Sequence, residues 1–410
     1  MFLEPEHRQA LVAGHGYGKL FRMKILAVDI GTGTQDILLY NSSLDMENNY
    51  KLILPSPTMM VRWRVNEATL KRLPILLTGV TMGGGPSTWA VENHLREGLD
   101  VYATVQAART FNDDLEAVQE MGIRVVSDDE AQQLPSTTMR IRLCDFNFTS
   151  IASAFNSFGV QLDDLDAVAV AVFDHGNAPA GVSDRKFRFE YLDERIRAQN
   201  RLSGFAFRSN AVPERMTRLQ AIVQSAQGED FPLVVMDTAP AAVLGATLDA
   251  QVASQKQVLV ANLGNFHTLA FRMGPEGIEG LFEHHTGFLD REKLTSLLRK
   301  LADGSLRNQD VFNDEGHGAL MYTPTAFPLG KDDFDVVVTG PRRGMFGSTP
   351  HSAETYTLRP YFPAPYGDMM ITGCFGLLAA TADVLPELAE PIRASLYHSH
   401  QPGIAPWDVV

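Results

Sequence analysis

Asp29 is followed closely by Gly31, Thr32, Gly33 and Thr34. Glycines let backbone N–H groups approach phosphate oxygens with no Cβ in the way, and a carboxylate at the head of such a turn can hold Mg2+ through water. A capped hairpin turn uses the same residue types, because Gly and Thr favour turns in any case. Asn262, Gly264 and Asn265 stand in a second turn of similar form, after the apolar run Val258–Ala261. A third glycine run, Gly83, Gly84 and Gly85, leads through Pro86 and Ser87 into a helical pattern. Helix starts collect free N–H donors and suit anions, while a tight crossover explains the same residues equally well. Gly340 closes the apolar run Asp335–Thr339.

Five of the eleven histidines, His175, His267, His284, His285 and His317, lie in glycine-flanked or strand-end turns, which sets them apart from scattered surface imidazoles. Asp174–His175 and Glu283–His284–His285 offer mixed nitrogen and oxygen ligands suited to Zn2+, Fe2+ or Mn2+. Adjacent residues on a strand point to opposite faces, so His284 and His285 share an ion only where the turn has begun. The other reading has these imidazoles bonded to loop carbonyls or contacting substrate, with His175 and His284 available for acid–base work. Asp174 ends a buried run, where partial burial raises a carboxyl pKa, and it is a candidate general base or a cap. Arg185, Arg188, Arg342 and Arg343 can clamp an anionic substrate or form a solvated face.

Composition narrows the partners. With 410 residues the chain is long enough for two domains with buried interiors. Its 35 basic and 49 acidic side chains give a net charge of −14, which argues against nucleic-acid or anionic-membrane binding. Local phosphate binding by backbone N–H groups survives that argument. Cys144 and Cys374 are the two cysteines of this chain, too few for a disulfide scaffold or a three-cysteine iron–sulfur cluster. They fit a reducing, cytoplasmic compartment. No apolar run approaches a membrane span, and residues 1–23 read as an extension, disordered or weakly docked, with Met23 a candidate start.

The elements that must position these turns form two similar series. The first runs from a strand at Lys24–Asp29, through the glycine turn, to strands at Asp36–Tyr40 and Thr58–Arg64, an antiparallel meander. Asn66 is expected to cap a short helix ending before Pro74. Then come a strand at Pro74–Val80, a helix at Ser87–Glu97, a strand at Val101–Thr104, a helix at Asn112–Met121 and a buried strand at Leu165–Phe173. Residues 175–230, polar and rich in arginine, read as an insertion. The second series starts at Val258, returns at Thr268–Met273 and again at Gly277–Glu283. A helix at Asp290–Ala302, a strand at Asp335–Thr339 and a closing helix at Phe375–Leu385 complete it. In such a meander the first, third and later parallel strands end on one edge. Asp29, Gly83–Gly85, Asp174–His175, Asn262, Glu283–His285 and Gly340 are therefore expected to converge.

This duplication resembles the actin, sugar kinase and Hsp70-type ATPase superfamily. Val28–Tyr40 is similar to its first phosphate loop, Met236–Ala246 to its first connecting helix, and Val258–Phe271 to its second phosphate loop. Val336–Gly344 is similar to its adenosine loop and Ile371–Thr381 to its second connecting helix. More closely, the segments DIGTGTQD, MGGGP, DHGNAP, NLGNFHTLAF, EHHTG and GHGA resemble a family labelled pyruvate formate-lyase activating enzyme-like. The superfamily resemblance implies two RNase H-like lobes, 24–245 and 246–410, around ATP or another nucleotide with Mg2+. Asn262 stands where an aspartate is usual, which keeps hydrogen-bonding geometry but removes a metal-binding charge.

Three functions follow as expectations. The first is an ATP-dependent kinase or ATPase acting on a small-molecule or protein substrate. The second is a metal-dependent transferase or hydrolase built on the histidine turns. The third is a nucleotide sensor without chemistry.

Overall fold

The computed structural model describes residues 22–179, 181–346, 358–397 and 407. Of the expected N-terminal extension only Arg22 and Met23 lie among them, and the Met23 N–H donates to Ser42 Oγ at 3.0 Å.

The chain opens with β1 (Lys24–Ile30), β2 (Thr34–Asn41) and β3 (Tyr50–Pro55) as an antiparallel meander. The third strand expected at Thr58–Arg64 is instead part of helix α1 (Pro57–Leu70). Valine and tryptophan there imitate a strand, but Ser56 and Pro57 are a helix start. Ser56 Oγ accepts from Met59 N–H at 3.4 Å, and proline tolerates the first turn. Val61, Val65 and Ala68 then fall on one buried face at helical spacing. Asn66 lies inside this helix and caps nothing.

Next come β4 (Ile75–Gly79), α2 (Pro86–Arg96), β5 (Val101–Thr104), β6 (Ile123–Val126) and β7 (Met139–Leu143). These four strands pair in parallel as a separate sheet, in the order β6-β5-β4-β7, over a core of its own containing Val65, Leu77 and Val91. The glycine run after β4 therefore leaves a different sheet from the one expected.

The chain returns to the first sheet with β8 (Ala167–Val172), α3 (Asp184–Ala198), β9 (Ala206–Arg208), α4 (Thr217–Ser225) and β10 (Leu233–Asp237). The first sheet has the order β3-β2-β1-β8-β10-β9. Residues 175–230 are thus no insertion: β9 is an edge strand of this sheet, and α3 buries Phe187, Phe189 and Leu192. The segment interrupting the first series is the one that carries the four-stranded sheet.

After α5 (Thr238–Ala246), strands β11 (Val258–Leu263), β12 (His267–Gly274) and β13 (Gly277–His285) form a second meander. Helix α6 (Arg291–Asp303), β14 (Gly318–Met321), β15 (Val336–Thr339), β16 (Pro360–Tyr361) and α7 (Thr372–Val384) complete the series. The sheet order is β14-β13-β12-β11-β15-β16. Third, second, first, then two parallel strands is the order in both large sheets. The outer face of the second sheet packs on Leu294, Leu297, Leu298 and Leu301 of α6, which stops at Gly304 with φ +78°.

Helices α5 and α7 lie within one continuous core that contains Ile25 and Val28 of β1, together with Val260 and Phe271 of the second sheet. The two helices touch backbone to backbone. A Cβ on Gly245 would overlap the Thr372 carbonyl, and one on Gly376 would overlap the Ala241 carbonyl. No helix among the described residues is long and apolar enough to cross a membrane.

Candidate functional site

The first turns of the two large sheets have the same construction. In β1–β2, Asp29 pairs with Asp36 and the Gly31 N–H donates to Thr34 O at 2.9 Å. In β11–β12, Asn262 pairs with Leu269 and the Gly264 N–H donates to His267 O at 2.9 Å. Asn262 is therefore the counterpart of Asp29. Each side chain is met by a glycine from a neighbouring element. A Cβ on Gly373 would overlap Asp29 Oδ2, and one on Gly340 would sit 2.7 Å from Asn262 Oδ1. Ser56 braces the first turn, its hydroxyl donating to Thr32 O at 2.5 Å and its N–H to Gly33 O at 3.1 Å.

Both turns line one cavity of about 150 Å3, which brings together Asp29, Gly31, Thr32, Gly33, Thr34, Asn262, Gly264, Asn265 and Gly340. Thr238 at the start of α5 donates to Asp29 Oδ1 at 2.6 Å. Burial, with Asp36 and Asp237 nearby, nevertheless pushes the Asp29 carboxyl up to about 7. Burial also raises Asp36 to about 6.

A second cavity of about 830 Å3 adjoins the first, sharing Gly31, Thr32, Phe173, Arg218, Phe266 and His267 in its walls. Gly83, Gly84 and Gly85 line it despite belonging to the separate sheet. Their glycine character has a packing cause. The Gly83 N–H donates to Asp145 Oδ2 at 3.1 Å, and the same carboxylate is held by Arg218 Nε at 2.6 Å. A Cβ on Gly83 would overlap Arg218, and Gly85, at φ +65°, lies under the Phe266 ring.

Asp174 also lines this cavity, and the structure places it in the capping role. Its two oxygens accept from the N–H groups of Gly176 and Leu219, both at 2.8 Å, so it caps the first turn of α4. His175 is exposed on the cavity wall, and its Nδ1 donates to Gly176 O at 2.6 Å. Among the described residues it joins no other histidine.

The end of β13 sorts its histidines by face. His284 is fully buried away from both cavities, with Nδ1 3.0 Å from His285 O and Nε2 3.2 Å from Asp314 Oδ2. That removes it from the expected catalytic and metal sets. His285 points the other way and meets two histidines outside the expected ligand set. His267 is its cross-strand partner, and His317 precedes β14. One ring nitrogen from each of His267, His285 and His317 lies within 4.8 Å of the others. The signal that could have found them is hairpin register, which sets residue 267 opposite residue 285.

Glu283 lies beneath this cluster. Its Oε1 is 3.1 Å from His267 Nδ1 and 3.7 Å from His317 Nε2. Its Oε2 accepts from Arg188 Nε at 3.2 Å, while Arg188 Nη1 reaches Asp237 and donates to Asp174 O at 2.9 Å. Burial alone would raise Glu283, but the positive neighbours outweigh it and hold the carboxyl well below its usual range. Burial pushes His317 down to about 3, so at neutral pH Arg188 is the partner that keeps Glu283 ionised. Arg188 is buried structure and no substrate clamp. Arg185 is spent on the Gly316 and Phe312 carbonyls, Arg343 lines the small cavity, and Arg342 is exposed.

Residues 82–345, more than half of the chain, match the model of a family described as "Putative pyruvate format-lyase activating enzyme (DUF1786)". The chain belongs to this family. No curated protein matches it. Among solved structures, this DUF1786 member is similar to a ROK family transcriptional regulator, a homologue of the E. coli MLC protein. Identity there is 8%, over 63% of this chain and 38% of that one, with a TM-score of 0.25. A Ppx/GppA family member from Aquifex aeolicus shares 9% identity over 69% of this chain and 56% of its own, with a TM-score of 0.23. A carbohydrate kinase from Novosphingobium aromaticivorans shares 10% over 93% and 88%, with a TM-score of 0.19. The chain thus spans less than two thirds of the length of the first two. Likenesses this distant leave the function of the DUF1786 chain to be argued from its own site.

Proposed function

We propose that the protein is an ATP-dependent phosphotransferase or ATPase that binds the phosphates of a nucleotide between its two glycine turns. The observation that carries this reading is the pairing of the Asp29 and Asn262 turns across one cavity. We read the two large sheets as the cores of two RNase H-like lobes, 24–245 and 246–410, as in actin-like ATPases, with the four-stranded unit inserted in the first.

The N–H groups of both turns offer donors to phosphate oxygens, and Gly340 and Gly373 leave the approach open. Asp29 fits a divalent cation. Burial first, and then the neighbouring Asp36 and Asp237 carboxyls, raise its pKa, so a bare negative charge is poorly tolerated there and a cation would relieve it. Mg2+ bound there would neutralise phosphate charge. Asn262 contributes a neutral oxygen, so the cation belongs on the Asp29 side. The nucleoside lies toward Arg343, and the acceptor, a small molecule or a protein side chain, enters through the 830 Å3 cavity.

The family description points to a different chemistry. Radical activation of that kind uses an iron–sulfur cluster on closely spaced cysteines, and in this chain Cys144, which follows β7, and Cys374, in α7, are both buried and far apart in sequence.

The test is thermal denaturation with ATP, with and without Mg2+. A rise in Tm that needs Mg2+ and vanishes in Asp29→Ala is expected, together with ADP release. No shift with any nucleotide sinks the proposal. A shift without turnover leaves a nucleotide sensor, the reading that Asn262 favours.

A further inference from the structure

We infer that His267, His285 and His317 are the ligands of a divalent transition-metal centre of the zinc class, opening onto the 830 Å3 cavity. The three imidazoles come from three chain segments, the first residue of β12, the last of β13 and the residue before β14. They meet because β12 and β13 pair His267 with His285, and because the His317 N–H donates to Glu283 O at 2.9 Å, tying the return segment to β13.

The ordinary uses of a turn histidine are filled elsewhere. His175 and His284 each donate to a main-chain carbonyl. Among the described residues no carbonyl takes the ring nitrogens of the three clustered histidines. Among the described residues the His317 Nδ1 is buried and makes no hydrogen bond, while the His267 Nδ1 faces the Glu283 carboxylate at 3.1 Å and leaves its Nε2 for an ion. A buried nitrogen without a partner is unfavourable, and a shared cation removes that cost. With metal–nitrogen bonds of roughly 2.1 Å, ligand nitrogens sit about 3.4 Å apart, so from a spacing of at most 4.8 Å the rings draw in by no more than about 1.4 Å.

Glu283 supplies the second layer. Its Oε1 is within reach of one nitrogen on each of His267 and His317, and a carboxylate so placed orients imidazoles for an ion. Arg188 anchors its other oxygen, which keeps the carboxylate from collapsing onto the metal as a ligand. The His267 ring is further fixed by stacking on Phe173, centroids 4.0 Å apart.

Closed zinc sites use four protein ligands, whereas three leave a position for water or substrate. His267 and His285 both face the large cavity, so the open position does too. The centre would take an oxygen-donor substrate there, beside the Gly264 turn. It does not depend on nucleotide binding, and its test uses none.

The full-length protein is purified without chelator, its metal measured by mass spectrometry, and the stripped protein titrated with Zn2+ and Co2+. About one equivalent of metal and a Co2+ adduct with visible d–d bands are expected. His285→Ala is expected to weaken both ions by more than about 100-fold with unchanged far-UV circular dichroism, while His175→Ala binds as wild type. Absence of the Co2+ bands, or equal affinity in His285→Ala, overturns the assignment. His317→Ala perturbs a buried position, so the half-buried His285 decides the outcome should that variant fail to fold.

Discussion

The ring of Phe266, in the turn between β11 and β12, lies against Gly85 at the start of α2 and stands edge-on to Trp89 at 5.5 Å. This contact joins the separate four-stranded unit to the glycine turn of the second sheet. Both cavities have Phe266 in their walls, so the same ring that closes the seam also shapes the candidate site.

Gly85→Ala is expected to destabilise the protein by about 1–3 kcal/mol. A Cβ there would sit 2.7 Å from the ring, on a backbone at φ +65° that alanine disfavours. Phe266→Ala relieves the clash but not the backbone strain. A double-mutant cycle by urea unfolding should therefore return a coupling above about 0.5 kcal/mol.

Asp29→Asn is expected to raise stability at pH 8 and leave it unchanged near pH 4. The folded carboxyl titrates at about 7, above its unfolded value of 3.8. The folded state then binds the proton more tightly, so stability is fully present below the unfolded pKa and is lost as pH rises through 7. Because Asp29 is partly solvated, the gain should be about 1–2 kcal/mol rather than the full shift. Thermal melts of both proteins across that range, without Mg2+, give the comparison.

Arg188→Met should cost about 3–5 kcal/mol, because it strands Asp237 and Glu283 as buried carboxylates. Adding Asp237→Asn and Glu283→Gln should recover much of the loss. Guanidinium unfolding of the single and triple variants distinguishes a charge effect from simple loss of packing.

Gly245→Ala and Gly376→Ala should each cost about 3 kcal/mol or more, since in both cases the obstacle is backbone on the facing helix. Limited proteolysis should show α5 and α7 opening together. Serine at either site should behave no better than alanine.

Much of the fold was readable where local signals agreed. Val101–Thr104 and the returns at Val258, Thr268 and Gly277 match observed strands because alternating burial and glycine punctuation are local properties. The reading failed at Thr58–Arg64, where valine and tryptophan outweighed the Ser56–Pro57 cap. It failed again at 175–230, where arginines signalled solvent although Arg188 is fully buried between two carboxylates. A charged side chain reveals its burial only through partners, and Asp237 and Glu283 are 49 and 95 residues away.

The amino-acid order alone determined which turns can bend tightly and which runs become strands, because glycine conformational freedom and apolar periodicity act within a few residues. It thereby determined that Asp29 and Asn262 stand in like turns. Only the tertiary structure decided that those turns face one cavity, that Asp174 is consumed as a cap, and that His285 joins His267 and His317 while His284 turns away. Strand register, sheet order and the helix contact at Gly245 and Gly376 set those meetings, and each depends on contacts between residues far apart in the chain.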